Sequence, residues 1–172
     1  HHIAYSTGFH SLPNSHPFAS GQAGTPMRQY QPMFEEYGVA GVLSGHNEMF
    51  ERSFVDLDGD GVGVHYYDVG VAGDGFGAPL PAFLPTVTLD ELNPFMSWNA
   101  FLDEPEFWAE VEGSNGDSFF QLQSGGLHYG HLELNLNRLD GVDGMLAELL
   151  LTPVYSFPLL DEQGALIGGT TE

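Results

Sequence analysis

Tyr37-Gly38-Val39-Ala40-Gly41-Val42-Leu43-Ser44-Gly45-His46-Asn47-Glu48-Met49-Phe50-Glu51-Arg52-Ser53 decides how the rest of the chain is read. Gly38 sits where a helix would end. Val39, Ala40, Val42 and Leu43 then predict a short, fully buried strand. Its end delivers a small turn, Ser44-Gly45, followed by His46 and Glu48. The carboxyl end of a strand, opening into a crevice, is where open α/β sheets keep their ligands. In extended chain, residues two apart share a face, so His46 and Glu48 would reach one centre. Imidazole plus carboxylate suits zinc, iron or manganese. The plain alternative for Gly45-His46 is a turn and nothing more.

Upstream, His1-His2 opens the chain, and residues 6–25 are rich in Ser, Gly, Pro and His. They read as a long loop of the kind that often carries function. His10 and His16 lie in it, and histidine is the side chain suited to proton transfer near neutral pH. A solvated loop histidine is the alternative for each. Thr25-Pro26 predicts a helix start, with Thr25 as N-cap. Met27, Tyr30, Met33, Phe34 and Tyr37 follow a helical period and read as core packing. Pro32 interrupts them, which predicts a kink or two short helices.

These stretches together carry a resemblance. His1-His2-Ile3-Ala4-Tyr5-Ser6-Thr7-Gly8, Met27-Arg28, Phe34-Glu35-Glu36-Tyr37-Gly38 and Val42 to Ser53 resemble calcineurin-like metallophosphoesterases, the purple acid phosphatase branch above all. That family builds a two-metal site from five sequence blocks, of which the last two are a histidine at a strand end and Gly-His-x-His. His1 matches the single histidine and His46 the first of the pair. Glu48 stands where the second histidine belongs, a harder and negatively charged ligand that puts iron preference in doubt. The resemblance implies metal-dependent hydrolysis of phosphoric esters by two metals (iron, zinc or manganese) about 3.5–4 Å apart, which hold the phosphate, generate a hydroxide and stabilise an in-line transition state. It implies His1, His46 and Glu48 as metal ligands, and His10 or His16 on the phosphate or leaving group. It implies an α/β fold, a two-sheet β sandwich flanked by helices. Residues 1–172 would be its C-terminal half: 1–55 the metal-site segment, 56–172 β-rich. The remaining ligands would come from an N-terminal half of the same protein, so these residues alone would be inactive. A purification-tag remnant is the alternative for His1-His2.

Asp56-Leu57-Asp58-Gly59-Asp60-Gly61 matches the first half of a calcium loop, but its twelfth position is Tyr67 rather than Glu. An acidic hairpin turn is the simpler reading; a partial calcium site on Asp56, Asp58 and Asp60 is the other. Residues 62–69 alternate and predict a strand. Residues 70–79 are glycine-rich, yet lack the lysine and helix start of a phosphate-cradling loop. Short helices are expected over 89–95 and 105–111. Trp98, Phe101, Phe107 and Trp108 read as an aromatic cluster. Residues 118–123 and 127–137 predict a β-hairpin, with Leu132, Leu134 and Leu136 on its buried face. His128 and His131 fall on opposite strand faces and cannot share a metal there. A strand over 145–155 should end by Pro158, with a turn at 161–164 and a frayed tail from Gly168.

The balance of 3 Lys+Arg against 24 Asp+Glu gives a net charge of −21, which argues against nucleic acid as a partner. The chain has no cysteine, hence no disulfide and no thiolate site. No apolar run of about 18 residues is present to span a membrane. Acidity without cysteine and with little lysine fits a secreted or periplasmic bacterial protein, marine or halotolerant. A structural or calcium-binding extracellular module, the phosphoesterase fold having degenerated, is the rival to an enzyme. Self-repulsion at this charge predicts that the unfolding midpoint rises with salt; equal midpoints in low and high salt would refute it.

Overall fold

The computed structural model describes residues 1–71, 77–103, 107–113, 116–124, 129–139, 146–160 and 166–171. The architecture is mixed α/β, with several sheets and few helices. β1 (Gly41–Ser44), β2 (Phe50–Val55), β3 (Val64–Val69) and β4 (Met96–Asn99) form a four-stranded sheet in the order β1-β3-β2-β4. β1 runs parallel to β3, and the other pairs are antiparallel. In β3 the alternation read from the sequence appears as burial: Val64, Tyr66 and Asp68 are buried, and His65 between them is exposed. Ile3, Ala4 and Tyr5 close over Val55, Val64 and Tyr66 to form the main core. His2 bridges Gly45 in parallel, so the first residues continue the sheet beside the end of β1.

β1 is shorter than expected and is not fully buried. It starts at Gly41, and Leu43 is 42% exposed. The reason is its place at the margin of the sheet, with β3 as its ladder partner.

The helical segment divides as Pro32 requires, into a 3₁₀ turn (Thr25–Tyr30) and α1 (Gln31–Glu36). Gly24, not Thr25, holds the N-cap position, and no side chain caps it. The Met and aromatic stripe is not core packing. Met27, Tyr30, Met33 and Tyr37 are exposed, and Phe34 alone of the five packs on the main core. A 3₁₀ turn has three residues per turn, so a stripe of period 3.6 loses its phase on entering α1. The inward face is polar instead. Gln31 is buried, donating to the Val55 carbonyl at 3.1 Å and accepting from the Tyr66 hydroxyl. Arg28 donates to the carbonyls of Ala4 (2.8 Å) and Leu92 (2.6 Å), with its guanidinium 4.8 Å from the Tyr5 ring centre.

α2 (Leu89–Leu92) opens with a capping box between Thr88 and Glu91, and α3 (Ala100–Asp103) follows β4. The helix expected over 105–111 is replaced by a strand, β5 (Phe107–Glu112), paired antiparallel with β6 (Ser118–Ser124). Pairing with β6 overrides the local helix signal of Pro105-Glu106. β6 does not form the expected hairpin with 127–137. That segment is β7 (Tyr129–Leu139), whose partner is β8 (Leu146–Leu160), and β8 pairs in turn with β9 (Leu166–Thr171). β8 runs through Pro158, which faces Gly169 just before a register shift, and the tail expected to fray is β9. Leu132 packs beside Phe50, Val71 and Ala100, whereas Leu134 and Leu136 are 50% and 72% exposed. Trp98 joins the same cluster, while Phe107 and Trp108 belong to β5. His131 lies 3.8 Å from Glu133, and His128 and the turn expected at 161–164 lie outside the described residues. Among the described residues no helix is long and apolar enough to cross a membrane.

Two carboxylates lie opposite each other inside the main sheet. Glu51 of β2 and Asp68 of β3 are register partners, 2% and 1% exposed. Glu51 accepts from the Thr7 N–H (3.1 Å), the Thr7 hydroxyl, Asn93 (2.8 Å) and Asn99 (2.8 Å). Asp68 accepts from the Ser6 hydroxyl at 2.9 Å, and its Oδ1 has no hydrogen-bond partner. The Asn47 side chain and Gly70 N–H favour its charged form from nearby, but neither closes a bond on Oδ1. Burial first, and the Glu51 charge second, push the Asp68 carboxyl well above the usual range. Two adjacent buried carboxylates do not both ionise readily. Burial raises the Glu51 carboxyl as well, against the four donors that lower it, so of the pair Glu51 is the better placed to carry a charge and Asp68 to keep its proton.

The folded pKa of Asp68 is therefore above its unfolded value. Its contribution to stability is complete below the unfolded pKa and is lost as pH rises toward the folded one, at about 1.4 kcal/mol per pH unit. Asp68→Asn stays neutral throughout. Urea unfolding at fixed ionic strength should show its stability gaining on the parent as pH rises from about 4; a pH-independent difference would show that Asp68 ionises freely.

Candidate metal centre

After β1 the chain turns sharply rather than continuing extended. His46 and Glu48 have φ of 92° and 52°, in the left-handed region that side chains seldom occupy. The rule that residues two apart share a face does not apply there, which corrects the expectation for this pair. Three contacts hold the turn. Buried Asn47 accepts the His10 N–H at 2.8 Å and donates to Ser11 at 3.4 Å. The Glu48 carbonyl accepts the Gly77 N–H at 2.7 Å. Gly70 backs the turn so closely that a Cβ there would lie 2.7 Å from the Glu48 nitrogen.

This turn gathers four imidazoles. His46 lies 4.7 Å from His1, 4.3 Å from His2 and 3.9 Å from His10, measured between ring centres. His1 and His2 are themselves 5.4 Å apart, edge to face. The planes of His1 and His2 are tilted 65° and 54° to that of His46, and as placed the ring nitrogens of the three do not all come within 4.8 Å of one another. His10 is stacked on His46 at 29°, and near-parallel stacked rings do not aim their lone pairs at one ion. His10 is thus stacked on His46 rather than aimed with it at one point.

Outer hydrogen bonds orient the two inner rings. His46 Nε2 sits 3.1 Å from the Gln22 carbonyl, and His10 Nδ1 sits 2.7 Å from the Ser20 hydroxyl. Such bonds fix which nitrogen remains for a ligand. Burial, and then the neighbouring histidines, lower both pKa values: His2 acts on His10, and His10 chiefly on His46. Both rings are therefore biased toward the neutral form, the form that binds metals.

Of the residues singled out from sequence, His1, His46 and His10 are brought together. Glu48 stands next to them, lining a cavity with His10, and its charge raises the His46 pKa slightly against the larger lowering effects. His16 is not gathered in: its Nδ1 accepts the Phe18 N–H and its ring lies 5.9 Å from the Phe18 ring. His2 was missed. Strand alternation would set it opposite His1, but residues 1–3 form only an isolated bridge to Gly45 rather than a strand, and both rings lie within 5 Å of the His46 ring centre.

The acidic loop after β2 is the one trio among the described residues whose ligand atoms all lie within 4.8 Å of one another: Asp56, Asp58 and Asp60. Its oxygens already serve the turn. Asp56 accepts from Gly59 and Gly61 at 2.7 and 2.9 Å, Asp58 from Asp60 at 3.2 Å and Asp60 from Val62 at 2.7 Å. It is the hairpin turn between β2 and β3.

No family model matches the chain, and it has no match among curated proteins or solved structures.

The positive φ of His46 gives a test of whether the turn is kept at a cost in stability. Glycine adopts such angles freely, so His46→Gly should exceed His46→Ala in unfolding free energy by about 1 kcal/mol. Equal stability in chemical denaturation would mean that the turn carries no strain at this residue.

Proposed function

We propose that this chain carries the histidine end of a metal-dependent phosphoric ester hydrolase. The observation that carries the reading is the gathering of His1, His2 and His10 around His46 on a tight turn beside β1. His1, His2 and His46 would hold a metal, with Glu48 beside them. Imidazole suits zinc, iron and related ions, and the site would form only after exposed His1 and His2 turn their rings, because as placed the nitrogens of His1, His2 and His46 lie too far apart to share an ion. In this reading His1, His2 and His46 would serve one such ion, and a second would draw on Glu48 and on groups outside this cluster. A bound metal would polarise the phosphoryl oxygens and supply a hydroxide at neutral pH. His10, stacked on His46 yet off the metal, is the group placed for the phosphate or the leaving oxygen. The two-sheet sandwich, the catalytic part in a longer chain and export from the cell belong to the same reading.

The rival reading is a calcium-binding module on Asp56, Asp58 and Asp60, favoured by the proximity of their oxygens. One experiment separates the two. Cobalt or zinc titration should give one tight site. His46→Ala should weaken it by more than the roughly 10–100-fold that loss of an outer hydrogen bond costs, and Asp58→Ala should leave it unchanged. The cobalt-loaded chain should broaden the ³¹P signal of inorganic phosphate. Calcium-dependent melting without a His46-dependent transition-metal site would favour the rival.

A further inference from the structure

In a chain of 24 Asp+Glu and 3 Lys+Arg, a cation without a carboxylate partner is unexpected. Arg52 of β2 is exposed and, among the described residues, forms no ion pair. The Ser97 hydroxyl pins its base, donating to the Arg52 carbonyl at 3.0 Å and accepting from Nε at 3.3 Å. The two terminal nitrogens have no acceptor among the described residues.

Arg52 borders a cavity of about 290 Å³ between the main sheet and the β7-β8 pair. Strand register decides what stands around it. Tyr67 in β3 and Trp98 in β4 are its cross-strand partners, so the three side chains share one face of the sheet. Phe50, two residues back, belongs to that face too. Leu132 of β7 and Leu151 of β8 supply the remaining wall. Glu51 also borders the cavity, but alternation turns its carboxylate to the other face, where Thr7, Asn93 and Asn99 donate to it. A second cavity, of about 220 Å³, shares Tyr67 and Leu151 with the first and carries the cleft on to Leu43 and His65. The charge of Arg52 is felt there: burial first, and then Arg52, lower the His65 pKa.

The lining narrows what the cavity takes. A guanidinium offers parallel N–H groups that match a planar carboxylate. One positive charge suits a monoanion. A dianion would keep an uncompensated charge inside the field of a chain of net charge −21. The walls call for an apolar body, and Tyr67, Trp98 and Phe50 favour a flat one. A volume of about 290 Å³ stands at the small end of ligand pockets, so that body is compact.

We propose that the Arg52 cavity binds aromatic monocarboxylates, with the carboxylate on the guanidinium and the ring among Tyr67, Trp98 and the two leucines. The site shares no residue with the histidine cluster and does not rest on the hydrolase reading.

Calorimetric titration at physiological ionic strength, where repulsion between exposed charges is screened beyond about 8 Å, tests it with naphthoate, naphthylmethanol, acetate, octanoate and naphthyl phosphate. Naphthoate should bind about tenfold tighter than naphthylmethanol or acetate. Arg52→Gln should bring naphthoate down to the level of naphthylmethanol without changing the affinity for that alcohol, and Trp98→Leu should weaken both. Phe83→Ala, an exposed aromatic outside the cavity, should change neither. Because Arg52 is exposed, its variant should keep the parent's urea midpoint, which separates lost binding from lost folding. Naphthylmethanol as tight as naphthoate, or a naphthoate affinity that survives Arg52→Gln, overturns the carboxylate site. Octanoate as tight as naphthoate overturns the aromatic assignment in favour of an acyl chain, and tighter naphthyl phosphate overturns the monoanion in favour of a dianion. Binding of none of the probes overturns the proposal outright.

Discussion

The buried carboxylate of Glu51 is the interaction on which the rest of the site depends. Removing a charge from water is costly unless donors replace its hydration. Glu51 meets that demand by drawing in Thr7 from the N-terminal loop, Asn93 from the end of α2 and Asn99 from the end of β4. One side chain therefore ties three segments, distant in sequence, to the middle of the four-stranded sheet. Asp68, across the ladder, adds Ser6 to the same knot. With residues 6 and 7 fixed, residues 8–11 have little freedom, and the Asn47 amide completes their placement by holding His10 and Ser11.

Seen this way, the polar interior and the histidine cluster are one construction. The core behind the site is only partly hydrophobic: Gln31, Glu51, Asp68, Asn93 and Asn99 occupy places that aliphatic side chains commonly fill. Hydrogen-bonded interiors are directional, so they position backbone more narrowly than apolar contact does. Close glycines serve the same end. Gly77 approaches the Asn47 carbonyl, and Gly24 the Ile3 carbonyl, so tightly that a Cβ would lie 1.9 and 1.7 Å away.

Much of the first seventy residues was legible because local rules and tertiary structure agree there. The strand over 62–69, the acidic hairpin and the division of the helix at Pro32 follow from period, turn chemistry and a missing N–H. What was hidden depended on partners remote in sequence. The exposed Met27–Tyr37 stripe could not be read without knowing that a 3₁₀ turn precedes α1. The polar core could not be read because nothing local marks buried Glu51 and Asp68 out from the rest of the 24 acidic residues. In the second half, alternation identified strands but not their pairing, so β7 was joined to β6 rather than to β8. At the site, His46 and His1 were visible as motif positions, whereas the nearness of His2 came only with the isolated bridge that sets it beside Gly45.

The tethering of half-buried Arg28 has a consequence of another kind. The chain has 3 Lys+Arg in 172 residues, and this one lends its guanidinium to two carbonyls and a tyrosine ring. Proteases that recognise a basic side chain must pull it out into their own pocket. Arg28 cannot be offered without unstitching Ala4 and Leu92, so the 3₁₀ turn over Thr25–Tyr30 presents no basic cleavage point while the fold persists. The turn is thereby carried in a form that enzymes of this specificity do not open.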